Sequence, residues 1–156
     1  MAQPESTVTA TGDVSCTIGR VLGAVGDKWS LRLLCEAALN GVTRFKDFQA
    51  VLGVAPDVLG QRLTKLVDEG LLTKHPYQEP GQRTRYRYGL TPAAEELRLA
   101  LTALQQWGEV HRPKDGGEPL TEVGRTVDTG KPVHVAFVDD EGRVVPADNI
   151  DYRYSI

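Results

Sequence analysis

Val54-Ala-Pro-Asp-Val-Leu-Gly-Gln-Arg-Leu-Thr-Lys-Leu-Val-Asp-Glu-Gly-Leu-Leu-Thr-Lys74 places apolar residues at Leu59, Leu63, Leu66 and Val67. That spacing predicts an amphipathic helix over 56–69 with one buried stripe. Pro56 suits its first position, where a missing N–H is no loss, and Gly70 suits the left-handed turn that closes it. Asp57, Gln61, Thr64, Lys65 and Asp68 fall opposite the stripe, with Arg62 on its flank. The chain runs straight on into an extended segment, Leu71 to Tyr77. A second one, Arg83 to Leu90, follows after Gln78-Glu-Pro-Gly-Gln82, which predicts a hairpin over 71–90. In its second strand Arg83, Arg85 and Arg87 alternate with Thr84, Tyr86 and Tyr88, so one face is cationic and the other packs.

Three helices are predicted upstream. Val14 to Val25 carries Ile18, Leu22 and Val25 on one face and breaks at Gly26-Asp27. Ser30 to Leu39 carries Leu31, Leu34, Cys35 and Ala38, and Asn40-Gly41 stops it. Arg44 to Leu52 turns Phe45, Phe48 and Leu52 inward, with Gly53-Val54-Ala55 as the next turn. Downstream, Thr91 caps a long helix that Pro92 opens and that reaches His111. Its apolar residues fill more than half its circumference, whereas an ordinary surface helix needs an apolar arc only somewhat over about 100°. A second copy of the chain is the simplest cover, over Leu97, Leu101, Leu104 and Trp107 and over Ile18 and Leu22 of the first helix.

Residues 1–13 read as a disordered lead, 113–132 as a linker, and 133–156 as a small β extension. The extension holds Val133 to Val138 and Arg143 to Val145 around Asp139-Asp-Glu-Gly142, with a third short strand from Asp151 to Tyr154. The expected fold is therefore mostly α (α+β). It is a winged helix-turn-helix over 14–112, with a long C-terminal dimerisation helix and a small C-terminal β-hairpin extension.

The net charge of −3 over 156 residues hides a division. Residues 16–113 carry 13 Lys and Arg against 10 Asp and Glu, whereas 114–156 carry 5 against 9. The middle is basic, and local field rather than global charge steers a polyanion. No stretch approaches the roughly 20 apolar residues of a membrane span, and Met1 to Asp13 lacks the apolar core of a signal peptide, so a cytoplasmic protein is expected. Cys16 and Cys35 are too few for a disulfide framework or a zinc cluster. His75, His111 and His134 lie on separate elements, so no metal site is expected. No phosphate loop, nucleophile elbow or paired-carboxylate signature supports an enzyme, and no cofactor is expected.

A polar-faced helix beside a basic hairpin suits double-stranded DNA. Gln61 can pair with adenine, Arg62 and Lys65 with guanine, and Thr64 can meet a thymine methyl. Lys28, Arg44, Lys46, Lys74, Arg83, Arg85 and Arg87 are candidates for the phosphates and the wing. Asp57 and Asp68 weigh against contact, since they repel phosphate. The alternative is a winged-helix module for protein–protein contact, with its basic wing on an acidic partner.

The residues resemble the HxlR-type winged-helix regulators of bacteria and archaea. The resemblance runs from Cys16 to about Gly108. It is carried by Cys16, by Gly26-Asp-Lys-Trp29, by Arg44-Phe45 with Leu52, by Leu59-x-Gln-Arg-Leu63-x-x-Leu66-x-x-x-Gly70-Leu71, and by Arg85-Tyr-Arg-Tyr-Gly-Leu-Thr91. It implies a homodimer that binds DNA as a repressor or activator, repression being expected, with dimer contacts from the first and last helices. Some members of that family use the thiol at this place to sense oxidants or electrophiles. Cys16 is therefore a candidate redox sensor, and an oxidant or small molecule a candidate effector. Ala55 and Gly60 stand where the family often has hydroxyl residues, and Arg87 where an acidic one is common.

Overall fold

The computed structural model describes residues 17–114, 117 and 123–152. Cys16 and the end of the expected third strand at Tyr154 lie outside the described residues. The elements follow in the order α1 (Thr17–Val25), α2 (Lys28–Asn40), α3 (Phe45–Leu52), α4 (Pro56–Asp68), β1 (Leu72–Tyr77), β2 (Arg85–Leu90) and α5 (Pro92–His111). Four two-residue strands come after: β3 (Gly124–Arg125), β4 (Pro132–Val133), β5 (Phe137–Val138) and β6 (Val144–Val145). Helices α3 and α4 with their three-residue turn form a helix-turn-helix, and the β1–β2 hairpin is its wing. The chain divides into two compact units, one to Glu95 and one from Glu96 on. The sequence suggested a boundary near residue 112; instead α5 beyond its first turn belongs with the extension.

The core of the first unit is mainly leucine packed around Phe48. Leu33, Leu34, Phe48, Leu59, Leu63 and Leu66 are fully buried, each contributing roughly 1.5–3 kcal/mol by leaving water. Helix α2 starts two residues earlier than expected, because Asp27 caps it by accepting a 2.9 Å hydrogen bond from the Ser30 amide. Its buried face is Ser30, Leu33, Leu34, Ala37 and Ala38, turned away from the expected Leu31 and Cys35, which are half-buried. Gly26 just before the cap is sterically required. A Cβ there would run into the Leu22 carbonyl oxygen, which accepts the Gly26 amide at 2.7 Å.

Helix α4 ends as the sequence predicts. Gly70 adopts φ +70°. Its amide donates to the Val67 carbonyl at 3.0 Å, and the Leu71 amide to the Leu66 carbonyl at 2.9 Å. This paired closure aims the chain into β1. Thr91 anchors the wing's exit: its hydroxyl donates to the Gly70 carbonyl at 2.7 Å and accepts the Ala94 amide at 3.3 Å at the start of α5.

In the second unit the side-chain amide of Gln106 acts as a strand edge. Its Nε2 donates to the Val135 carbonyl at 3.1 Å and its Oε1 accepts the Val135 amide at 2.8 Å. The expected strand Val133 to Val138 is two strands. β4 turns back onto β3, inside the stretch read as linker, and β5 pairs with β6. The Asp139–Gly142 turn forms as expected, with Gly142 at φ +78° and Asp139 accepting from the Glu141 and Arg143 amides. A 3-10 turn, Ala147–Asn149, follows, and Asp151 and Tyr152 have no regular structure.

Leu101 corrects the expected partner face. It is 3% exposed, buried by its own chain, while Leu104 and Trp107 on the same helix are 55% and 54% exposed. Leu97 is half-buried. Among the described residues no helix is long and apolar enough to cross a membrane.

Candidate nucleic-acid interface

Helix α4 separates the four side chains that the sequence grouped as base readers. Gln61 and Thr64 are exposed on its outer face, beside Asp57 and Asp68. Arg62 and Lys65 are half-buried and reach sideways onto Asp27, Lys65 from the rim of the outer groove that Gln61 and Thr64 also line. Lys65 Nζ donates to Asp27 Oδ2 at 3.0 Å. Arg62 Nε, buried and without a hydrogen-bond partner among the described residues, lies 3.5 Å from Asp27 Oδ1. The same Oδ1 accepts the Ser30 amide. One carboxylate thus caps α2 and ties α4 to it.

Burial by itself would raise the Asp27 pKa. Ser30, then Lys65 and Arg62, outweigh that and hold the carboxyl well below the usual carboxylate range. Of the two Ser30 groups facing it, the amide makes the bond. The buried hydroxyl has no partner in hydrogen-bonding geometry among the described residues. Asp27 was read from the sequence only as a helix breaker. Its place before Lys28-Trp29-Ser30 was the available signal, as an acidic residue three before an amide is a capping pattern.

The wing is built on a register that pairs Tyr77 with Arg85, Pro76 with Tyr86, His75 with Arg87 and Lys74 with Tyr88. Alternation therefore puts Arg85 and Arg87 on one face with Tyr77 and His75, and Tyr86 and Tyr88 on the other with Lys74. Tyr88 is buried and Tyr86 is 43% exposed, so only part of the tyrosine face packs. Lys74 does not extend the arginine row, since its Nζ sits 4.1 Å from the Tyr86 ring centroid on the opposite face. Arg83 precedes the strand, which starts at Arg85 because Tyr77–Arg85 is the last pair of the ladder. Arg83, Arg85 and Arg87 are all exposed, and among the described residues their side chains make no hydrogen bond or ion pair.

The outer edge of β2 is met by the segment before α3, a feature that no local pattern in the chain announces. The Tyr88 amide donates to the Thr43 carbonyl at 2.7 Å, and Arg44 bridges to Arg87. Arg44 is thus fixed to the wing's cationic strand. Its guanidinium lies 5.2 Å from the Tyr77 ring centroid and 4.0 Å from Glu79. Lys46 on α3 joins Arg83 and Arg85 around a groove of about 640 Å³ that Phe45 and Tyr86 also line. Lys28 is held near its neighbour, with Nζ 4.8 Å from the Trp29 ring centroid.

Cys35 lies half-buried on α2, with its thiol pushed up by burial and by the charge of Glu36. It is poorly suited to form a thiolate. Among the described residues no group of His, Cys, Asp and Glu is placed to hold a metal ion.

A winged helix-turn-helix with these contacts is similar to known proteins. The family model described as HxlR-like helix-turn-helix matches residues 24–115. An uncharacterized HTH-type transcriptional regulator of Mycobacterium tuberculosis, Rv3095, is 38% identical over 104 residues, which cover 67% of this chain and 64% of that protein. The match thus spans under two thirds of the relative's length. Among solved structures, PA1607, assigned as a transcription factor, is 29% identical with a TM-score of 0.74, over 94% of this chain and 100% of that one. PA1374 of Pseudomonas aeruginosa, also assigned as a transcription factor, is 33% identical with a TM-score of 0.59, over 90% and 92%.

Proposed function

This chain belongs to the HxlR-like helix-turn-helix family of DNA-binding transcriptional regulators, and on that premise we propose that it is a dimeric, sequence-specific repressor. Helix α4 reads bases in the major groove through Gln61 and Thr64. The wing lies over the backbone or minor groove through Arg83, Arg85 and Arg87, with Arg44 and Lys46 beside it. The observation that carries this reading is the wing. Three exposed arginines, whose side chains make no hydrogen bond or ion pair among the described residues, stand on the hairpin that follows a helix with Gln61 and Thr64 exposed. A cation already neutralised within the protein releases few counterions from DNA; a free one releases about one per phosphate met. Repression is the simpler sense, because a protein seated on upstream DNA excludes others by occupying it.

The dimer is supported by apolar side chains that the chain leaves in water. Ile18 and Leu22 of α1 are 63% and 59% exposed, and Leu104 and Trp107 of α5 more than half. A twofold dimer requires a pseudo-palindromic operator with half-sites about 34–36 Å apart or a multiple of that.

Anisotropy titrations of duplexes from upstream of the protein's own gene, against a scrambled duplex, test the reading between 50 and 200 mM salt. Tighter binding to an upstream duplex, weakening steeply with salt, is expected. Absence of salt-dependent binding to any duplex would end it and leave the basic wing to an acidic protein partner. Sedimentation of a stable monomer at micromolar concentration would end the dimer.

A further inference from the structure

We propose that Asp27 is a specificity-determining residue that acts through Arg62 and Lys65, withholding their charge from the phosphate backbone while it fixes the posture of α4. The inference rests on the DNA reading above and goes beyond it, because Asp27 is the N-cap of α2 and itself reads nothing. Three observations carry it. One carboxylate meets both cations of the helix, at 3.0 and 3.5 Å. Arg62 Nε is buried, so the guanidinium is held at its inner edge and does not swing freely outward. The wing's arginines have no such acceptor among the described residues, so the arrangement is particular to α4.

The physical consequence follows from how proteins tell operator from bulk DNA. Every cation that reaches a phosphate strengthens binding to all sequences alike, and the genome offers a vast excess of wrong sites. Two loose cations on the recognition helix would raise that background. Held by Asp27, whose single charge offsets one of their two, they leave base contact to Gln61 and Thr64. The clamp also joins residues 38 positions apart, so it sets the angle at which α4 leaves the body of the unit.

The test is Asp27→Asn in the full-length protein. Asparagine caps helices about as well as aspartate, so the Ser30 bond survives while the charge is lost. Affinity for a scrambled duplex is expected to rise several-fold at 50 mM salt. The slope of log K against log salt should steepen by about 0.9 for each freed cation that finds a phosphate. The ratio of upstream-duplex to scrambled-duplex affinity should fall. A second variant, Asp27→Asn with Arg62→Gln and Lys65→Gln, should return the slope to that of the native protein, which a simple loss of one negative charge would not do. The proposal is overturned if Asp27→Asn leaves the slope unchanged, or if it weakens both duplexes in parallel, the signature of a brace only. If Asp27→Asn does not fold, Arg62→Gln with Lys65→Gln decides: an unchanged salt slope supports withheld charge, and a slope reduced by about 1.8 refutes it. Failure of the DNA reading itself looks different, because the native protein then shows no salt-dependent binding at all.

Discussion

On α4, Arg62 and Lys65 are turned onto Asp27, whereas on the wing Arg83, Arg85 and Arg87 have no acceptor among the described residues. Both regions carry arginine or lysine, and in the sequence alone they look alike. They differ in how much charge they present. An element that follows a phosphate backbone gains from loose cations, since each can adapt to a contact without sequence content. An element that reads bases gains from a fixed posture, since a contact misplaced by an ångström does not discriminate. On the proposed reading, the clamp and the open comb are these two solutions side by side.

The largest effect that would break this comparison is at the wing. Arg83, Arg85 and Arg87 changed together to Ala should reduce the salt slope by about 2.7, and affinity at low salt by orders of magnitude, with the preferred sequence unchanged. Single changes at Arg83 or Arg87 should each take about 0.9 from the slope. Arg87 sits on the backbone bridge to Arg44 and Arg83 outside the strand, so neither side chain is needed for the fold; melting curves check this. A slope that stays put in folded variants would remove the wing from the phosphates.

Next in size is Gln61→Ala, which sharpens the α4 side of the contrast. It should cost about 1–3 kcal/mol on the preferred duplex and much less on a scrambled one. Equal losses on both, measured by competition titration, would mean that α4 does not read bases there.

Smaller, and opposite in sign, is Ala55→Ser. Ala55 is the N-cap of α4 and offers no side-chain hydrogen bond. Serine there should add about 1 kcal/mol of stability, within the range of about 0.5–2 for such caps. A calorimetric Tm that does not rise would show that the α4 N-terminus is already satisfied.

The least visible near neutrality is acid titration of the clamp. Asp27 has a folded-state pKa below its unfolded value of about 3.9, so its stabilisation is complete above that value and is lost as pH falls through the folded one. Between pH 8 and 5 the native protein and Asp27→Asn should keep a constant difference in Tm, and below pH 4 the difference should shrink. A difference that stays undiminished from pH 5 down to pH 2 would mean that the charge on Asp27 is not what joins the helices.

Much of this was legible in the sequence. Leu59, Leu63 and Leu66 marked α4, Gly70 its left-handed end, Thr91 the cap of α5, and the Tyr–Arg alternation the faces of β2. The candidate site was legible in composition and not in grouping. Gln61, Arg62, Thr64 and Lys65 share a helix, but Arg62 and Lys65 are tied to Asp27 while Gln61 and Thr64 stand exposed. Lys74 is in the wing, and on the wrong side of it for the arginine row. Asp27 looked like punctuation. Leu101 looked like its neighbours Leu97 and Leu104, because periodicity shows that a leucine is on an apolar arc and not which protein covers it.

What the sequence determined by itself were the helices, the hairpin, their caps and turns, and the charge available on each. These follow from periodicity and from backbone limits of Pro and Gly acting within a few residues. What the tertiary structure decided were pairings at long range. Asp27 meets Lys65, Thr43 meets Tyr88, and Gln106 meets Val135. The physical reason is that an ion pair or a strand edge needs two groups at hydrogen-bonding distance. For residues tens of positions apart, that distance is set by how helices and strands pack and not by any local pattern in the chain.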